Sequence, residues 1–258
     1  MNKTSTELYT QAENYFFNSI STKCLNLEDA AIAYMTGVPV ADLNIVYIKK
    51  HPIALDKILN SVKLFYGQAN LGFIVIIPEE FCTTQINDTF KAVDYFQTDK
   101  SVAMAFDLKD FMISDVISFD DDTLIKANDN TLEDWLVPMT AFSATDYEMC
   151  IKYADTHKLA LTKNSKLHHF SLYREEKPIA SITLSLNNAI ARIDDVGTLP
   201  EFQGKGYATR LMNYAISKAK KLGATYCFLE ASDSGLSIYQ KLGFKTLFKN
   251  NVYSRKND

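Results

Sequence analysis

The stretch PEFQGKGYATRLM, from Pro200 to Met212, constrains the fold of this chain more than any other. It sets Gln203, Gly204, Lys205 and Gly206 directly before apolar residues at Tyr207, Leu211, Met212, Ala215, Ile216, Ala219 and Leu222. That spacing is close to the helical period, so it describes a helix burying one face. A strand-like run ends upstream near Val196, and Gly197 and Pro200 mark the turn between them. The first turn of a helix carries unpaired N–H groups and the positive end of the dipole. Glycines at that point let an anion reach the backbone. Strand, glycine-rich turn and helix start together make a phosphate cradle.

Two users of such a cradle do not fit. A nucleoside-triphosphate loop needs GxxxxGK followed by Ser or Thr, and the chain contains no such run. A dinucleotide fingerprint needs Gly or Ala where Thr209 stands, followed by a parallel βαβ unit. The three runs before the cradle, HHFSLYRE, KPIASITLSL and NAIARIDDVGTL, are instead joined by short polar turns, as in an antiparallel meander. After the helix, capped by Gly223, come a strand at Tyr226–Ala231, a short helix from Ser234 to Leu242 and a last strand near Phe244–Phe248.

The first half alternates the same way. Leu25 to Met35 reads as a helix, and LNIVYIK as a strand. Pro52 opens a helix with apolar Ile53, Leu55, Ile58, Leu59, Val62 and Phe65, and LGFIVIIP and SVAMAFDL read as buried strands. The polar, acidic run SFDDDTLIKANDN is the best boundary, with a short strand at Thr123–Ala127 opening the second unit. TLEDWLVPM starts a helix, and TDYE has the spacing of a capping box before another helix ending near His157. The fold class is α/β (α+β), with domains at residues 1–118 and 119–258.

Charge divides along the same line. Residues 1–130 hold 10 Lys and Arg against 18 Asp and Glu, and the remainder holds 17 against 13. The mildly basic half suits a small phosphorylated ligand and is too weak for a nucleic-acid surface. Cys24, Cys82, Cys150 and Cys227 form no CxxC pair and read as free thiols of a reducing cytoplasm. No leader-like apolar segment opens the chain, and the run GFIVII is far too short to span a bilayer. A cytoplasmic protein without membrane or nucleic-acid partners is expected, its oligomeric state unreadable.

QGKGYA matches Q/R-x-x-G-x-G/A, and LEASDSGLSIYQKLGF ends in Tyr-x-x-Leu-Gly-Phe. In this order and spacing, behind three antiparallel strands, they resemble the GCN5-related N-acetyltransferase (GNAT) superfamily over roughly residues 120–258. The resemblance implies acetyl-CoA as co-substrate. The backbone N–H groups of Gln203, Gly204, Lys205, Gly206, Tyr207 and Ala208, with Thr209 beside them, would bind the coenzyme A pyrophosphate, and Lys205 and Arg210 would add charge. Val196 and Thr198 would pair with the pantetheine arm as with an added strand, and Gly197 would mark a bulge or splay opening a slot toward Tyr226–Ala231. Tyr239 takes the position of the general-acid tyrosine. The base is open among Glu230, Asp194 and Asp195, the two aspartates pointing to opposite faces of a regular strand. His168 and His169 likewise alternate, and no metal site is expected.

MTGVPVADLNIVY, the helix after it and LGFIVIIPEEF resemble the amino-terminal part of tandem two-domain members of the superfamily, whose first domain is a degenerate copy of the fold. Each domain is then a mixed, largely antiparallel sheet flanked by helices. At the corresponding junction this chain reads IVYIKKHPIALDKIL, without glycines, so the first domain would wall the cleft rather than bind coenzyme A. Its acidic excess, including Asp120, Asp121 and Asp122, suits a cationic amine. The resemblance implies acetyl transfer to a primary amine, small molecule or peptide, by direct attack in a ternary complex. The alternative is an acyl-CoA-binding sensor or pseudoenzyme with a regulatory role.

Overall fold

The computed structural model describes residues 4–28, 30–112, 123–140 and 147–255. They form two compact units, each assembled from separate stretches of chain. The expected boundary at 118/119 lies outside the described residues, as do Asp120, Asp121, Asp122 and Thr145 of the expected capping box. The units interleave: Met1–Ser19 belongs with Met104–Glu230 and Ser237–Lys245, while Thr246–Asp258 and Ala231–Leu236 belong with Ile20–Ala103.

The N-terminal unit is a sheet built on β1 (Lys23–Leu27), β2 (Ala31–Met35), β3 (Asn44–Ile48), β4 (Ile74–Pro78) and the first part of β5 (Phe96–Asp107). Leu25 to Met35 is therefore a hairpin and not the expected helix. Its strands pair antiparallel from Lys23↔Met35 to Leu27↔Ala31. Glu28, at φ +50, reverses the chain, and the alanines that suggest helix lie instead on a buried strand face. Helix α2 (Leu55–Gly67) buries Leu55, Ile58, Leu59, Val62 and Tyr66, as its periodicity predicts. Ile53 falls before the helix and is fully exposed, at 101%. Helix α3 (Thr84–Lys91) is capped by the Thr83 hydroxyl, which accepts from the Ile86 N–H.

β3 and β4 run parallel, and β4 is then completed by the end of the chain. The C-terminal strand, β11 (Lys245–Ser254), pairs antiparallel with β4 from Asn250↔Pro78 to Tyr253↔Val75. It is longer than the expected Phe244–Phe248. Tyr253 enters the core formed by Val46, Leu59, Tyr66, Val75, Ile77 and Phe90. Its ring stacks on Phe90 with centroids 3.9 Å apart, and its hydroxyl donates to Asn87 Oδ1 at 2.6 Å.

The C-terminal unit has α1 (Ser5–Ile20), β6 (Thr123–Ala127), α4 (Leu132–Met139), α5 (Tyr147–Thr162), β7 (Leu167–Arg174), β8 (Lys177–Asn187), β9 (Ile190–Thr198), α6 (Tyr207–Lys221), the part of β10 (Tyr226–Ser232) up to Glu230 and the part of α7 (Asp233–Lys241) from Ser237. Its strand order is β10-β9-β8-β7-β6. β7, β8 and β9 form the expected antiparallel meander, β6 pairs antiparallel with β7, and β10 pairs parallel with β9. α5 continues past His157 to Thr162. The sheet has two unlike faces. Phe170 meets Tyr214 of α6 at 5.1 Å, over an apolar layer of Leu172, Ile182, Leu184 and Ile193. Its neighbour His169 points the other way, against Trp135 of α4 and His157 of α5. That face buries Ser171, Ser181, Thr183, Ser185 and Arg192.

Tyr253→Ala is expected to destabilise the N-terminal unit by about 3 kcal/mol, through lost burial and the cavity left behind. Tyr253→Phe, which loses the hydroxyl's bond to Asn87 and its longer one to Cys82 Sγ, is expected to cost about 1 kcal/mol. Urea unfolding of the full chain distinguishes the two.

Candidate active site

The site follows from how β9 meets its two neighbours. Parallel pairing with β10 covers only Tyr226↔Ile190, Cys227↔Ala191 and Phe228↔Arg192. Beyond Arg192 the ladder between these strands stops, so β10 does not pair with β9 from Ile193 onward. On its other edge β9 stays paired with β8, but with a bulge. Thr183 faces Asp194 and Ser181 faces Gly197, so Ile182 opposes both Asp195 and Val196. Asp195 takes the left-handed conformation, at φ +55, which aspartate tolerates better than most residues. The irregularity thus falls just before Gly197, where it was expected.

The bulge overturns one expectation. In a regular strand Asp194 and Asp195 would face opposite ways. Here both face the α1/α4/α5 layer. Asp195 Oδ1 accepts from the Tyr153 hydroxyl of α5 at 3.0 Å. Asp194 takes the Arg192 Nε–H between its two oxygens, at 2.9 and 3.0 Å. The buried Arg192 guanidinium lies 5.4 Å over the Tyr9 ring and 5.6 Å over Phe17, both of α1. Tyr9 donates its hydroxyl to Glu230 Oε2 at 3.2 Å.

Burial raises the carboxyl of Asp194 even against the pull of Arg192. Burial, reinforced by the charge of Asp194, lifts Asp195 to about 7. Tyr239, on α7, has its hydroxyl pushed up to about 12 by burial and by the charge of Asp194. Electrostatics therefore link three of the four expected catalytic residues, and Glu230 joins them as a further raising charge on Asp194.

The cradle is formed as its sequence requires. Gly204 and Gly206 sit at φ +73 and +83. A Cβ on either would meet no protein atom within 4 Å, so backbone conformation, not crowding, calls for glycine. Gly206 is the N-cap of α6 and supplies no side-chain hydrogen bond. The first-turn N–H groups of Tyr207, Ala208 and Thr209 are left for an anion. Gln203 and Lys205 fold back on their own loop, donating to Thr198 O at 3.0 Å and Glu201 O at 2.9 Å. The open rim is therefore backbone, and it adjoins the part of β9 beyond that ladder, which carries Val196 and Thr198. These residues fit a pyrophosphate on a long extended arm.

Sequence reasoning missed Arg192, Tyr9, Tyr153 and His157. Arg192 had a readable signal, a charge on a strand two residues before Asp194 and so on the same face. Nothing in the sequence tied Tyr9 of α1 to Glu230, 221 positions away. Among the described residues no group of three or more His, Cys, Asp or Glu is arranged to hold a metal ion, and no helix is long and apolar enough to cross a membrane.

The part of β9 beyond its ladder with β10 thus leads to a helix start that has no side-chain cap. Residues 130–244 match the family described as Acetyltransferase (GNAT) family. The fold extends over the whole chain. A GCN5-related N-acetyltransferase from Kribbella flavida aligns with 99% of this chain and 97% of its own, at TM-score 0.71 and 11% identity. A functionally unknown conserved protein from Staphylococcus epidermidis aligns with 92% and 95%, at 0.68 and 15%. A tandem GNAT protein from the clavulanic acid biosynthesis pathway aligns with 87% and 78%, at 0.57 and 11%. At such identities the likeness is one of fold. The uncharacterized N-acetyltransferase CgeE of Bacillus subtilis (strain 168) is 40% identical over 57 residues, 21% of this chain and 22% of that protein. The chain thus matches about a fifth of that relative's length.

The Asp195 carboxyl also makes stability depend on pH. An aspartate ionises near 3.9 when unfolded and at about 7 here. The protonated, buried form therefore stabilises the fold below about pH 4. That contribution is lost as pH rises toward and through 7. Asp195→Asn, neutral at every pH, is expected to raise the melting temperature at pH 8, with the gain shrinking toward pH 4. A gain that does not vary with pH would contradict the assignment.

Proposed function

We propose that the protein is an acetyl-CoA-dependent N-acetyltransferase that acetylates a primary amine by direct attack in a ternary complex. The observation carrying this reading is the part of β9 beyond its ladder with β10, running from the buried Asp194–Asp195 pair to the uncapped start of α6. Acetyl-CoA would supply the acetyl group as a thioester with a thiolate leaving group.

Each residue then has a role. The N–H groups from Gln203 to Thr209 hold the pyrophosphate. The backbone of Val196 and Thr198 aligns the pantetheine arm. Asp195 takes the proton from the attacking amine, because a carboxyl at about 7 accepts a proton efficiently at neutral pH. Asp194 is held by Arg192 and Glu230 by Tyr9, so both set the field around the amine rather than remove its proton. That surplus of carboxyl groups over one guanidinium favours an acceptor arriving as a cation. Tyr239 directs its hydroxyl to the sulfur.

Thiol release is expected when the protein is incubated with acetyl-CoA and a panel of polyamines, aminoglycosides, amino acids and peptides. Coenzyme binding without turnover on any of them would overturn the enzymatic reading in favour of an acyl-CoA sensor. Tyr239→Phe is expected to lower kcat by about 100-fold while coenzyme affinity persists, as measured by steady-state kinetics and calorimetry.

A further inference from the structure

Behind Asp195 lies a chain of side chains that the transfer reaction does not by itself require. His157 of α5 is fully buried, with Nδ1 2.9 Å from His169 Nε2. His169, equally buried, has Nδ1 2.9 Å from Asp129 Oδ1, which also accepts the His169 backbone N–H at 2.7 Å. At the inner end, His157 Nε2 and Asp195 Oδ2 stand 3.8 Å apart. Neither of those two atoms has a hydrogen-bond partner among the described residues. Trp135 and Tyr153 pack against the His157 ring.

Proton positions follow from the two ends. Burial alone would raise Asp129, but hydrogen bonds from His168 and His169 hold it well below the usual carboxylate range. It is ionised and can only accept, so His169 carries its proton on Nδ1. Burial keeps His169 neutral despite Asp129, and keeps His157 neutral more strongly still. The bare Nε2 of His169 must then accept from Nδ1–H of His157. The bare Nε2 of His157 is left facing Asp195.

We propose that Asp129, His169 and His157 are positioning residues that fix an acceptor lone pair against Asp195 Oδ2, so that the proton Asp195 takes from the amine is received into a ready hydrogen bond. The inference rests on the reading of Asp195 as the base. In the step itself an N–H bond of the amine breaks and an O–H bond forms on Asp195. That O–H then donates to His157 Nε2 once the 3.8 Å gap closes to hydrogen-bond length. The proton later leaves for the thiolate or for water, and the histidines keep their tautomers throughout. The chain stabilises protonated Asp195 and so strengthens it as a base.

The other groups facing Asp195 are Asp194 and Arg192 of β9, Thr183 of β8 and Tyr153 of α5. His157 additionally faces Phe16 of α1. His157→Gln changes none of these, but offers an amide donor to the carboxylate where the lone pair was. The acidic limb of the kcat/KM–pH profile is expected to move down by about one unit. At neutral pH kcat should fall by about 10-fold, with coenzyme affinity unchanged. Asp129→Ala, at the half-exposed end of the chain, should shift the limb in the same direction and carries the test if His157→Gln fails to fold. An acidic limb that stays in place in both variants overturns the proposal. Histidine 15N NMR of the wild-type protein reads the chain without turnover: both rings neutral and protonated at Nδ1 is expected. A His157 protonated at Nε2 at neutral pH overturns it. Wild-type protein that acetylates no amine would sink the functional reading alone, and the spectrum would still decide the histidine chain.

Discussion

One extra residue in β9 governs the geometry of the site. By setting Asp195 and Val196 against Ile182 alone, the bulge turns two consecutive carboxylates to one face, which no regular strand can do. It falls where pairing with β10 has already ended. The strand is therefore both misaligned on one edge and unpaired with β10 on the other along the same few residues. A left-handed aspartate is strained relative to extended backbone, and it persists because β8 and the Tyr153 hydroxyl hold it from two sides. The strand continues through Gly197 to the turn that aims the α6 N-terminus. The position of the cradle relative to the carboxylates is thus fixed by covalent continuity over about ten residues.

The two faces of the C-terminal sheet divide the work between stability and chemistry. The face toward α6 is apolar, and its helix buries Leu211, Met212, Ala215, Ile216 and Ala219. The opposite face places hydroxyls, imidazoles and the Arg192 guanidinium out of contact with water. Several atoms there, including Ser171 Oγ, Ser181 Oγ and Trp135 Nε1, find no hydrogen-bond partner among the described residues. Each such atom costs on the order of 1–3 kcal/mol relative to a satisfied one. An arrangement chosen for stability alone would fill this layer with aliphatic side chains. Its polarity makes sense as a medium that shifts proton affinities, as it does for Asp195 and His157.

Much of this was legible from local pattern. The glycine-rich turn, α6 and the β7–β8–β9 meander were readable because each rests on spacing within about 20 residues. Left-handed glycines, periodic apolar faces and short polar turns are local properties. Leu25–Met35 was misread because its alanines suit a helix while the reversal at Glu28 leaves little compositional trace. The interleaving of the units was invisible for a different reason. β11 reads as an ordinary amphipathic strand, and nothing in it names β4, some 175 residues earlier, as its partner. The histidine chain was hidden in the same way, since His157 and His169 become neighbours only when α5 lies across β7. The bulge at Asp195 carried almost no signal, because an aspartate doublet in a strand predicts alternation until the partner strand shows otherwise.

The proton affinities of Asp195 and Tyr239 decide between two roles for the tyrosine. A hydroxyl at about 12 giving its proton outright to a thiolate near 8.5 would run uphill by about 3.5 units, roughly 5 kcal/mol. Donating a hydrogen bond to the sulfur as charge develops carries no such penalty and still favours departure of the thiolate. The burial that makes Tyr239 a poor acid keeps it protonated at every physiological pH, so it remains a donor. Asp195, held near 7 by that same dry environment, can instead accept a proton from the amine and release it again at little cost. Under the proposed reaction, proton traffic would fall to the carboxylate and its histidine support, and stabilisation of the sulfur to the tyrosine. The bond from Arg192 opposes the burial that raises Asp194, and the charge of that second carboxylate, when ionised, helps to raise both Asp195 and Tyr239.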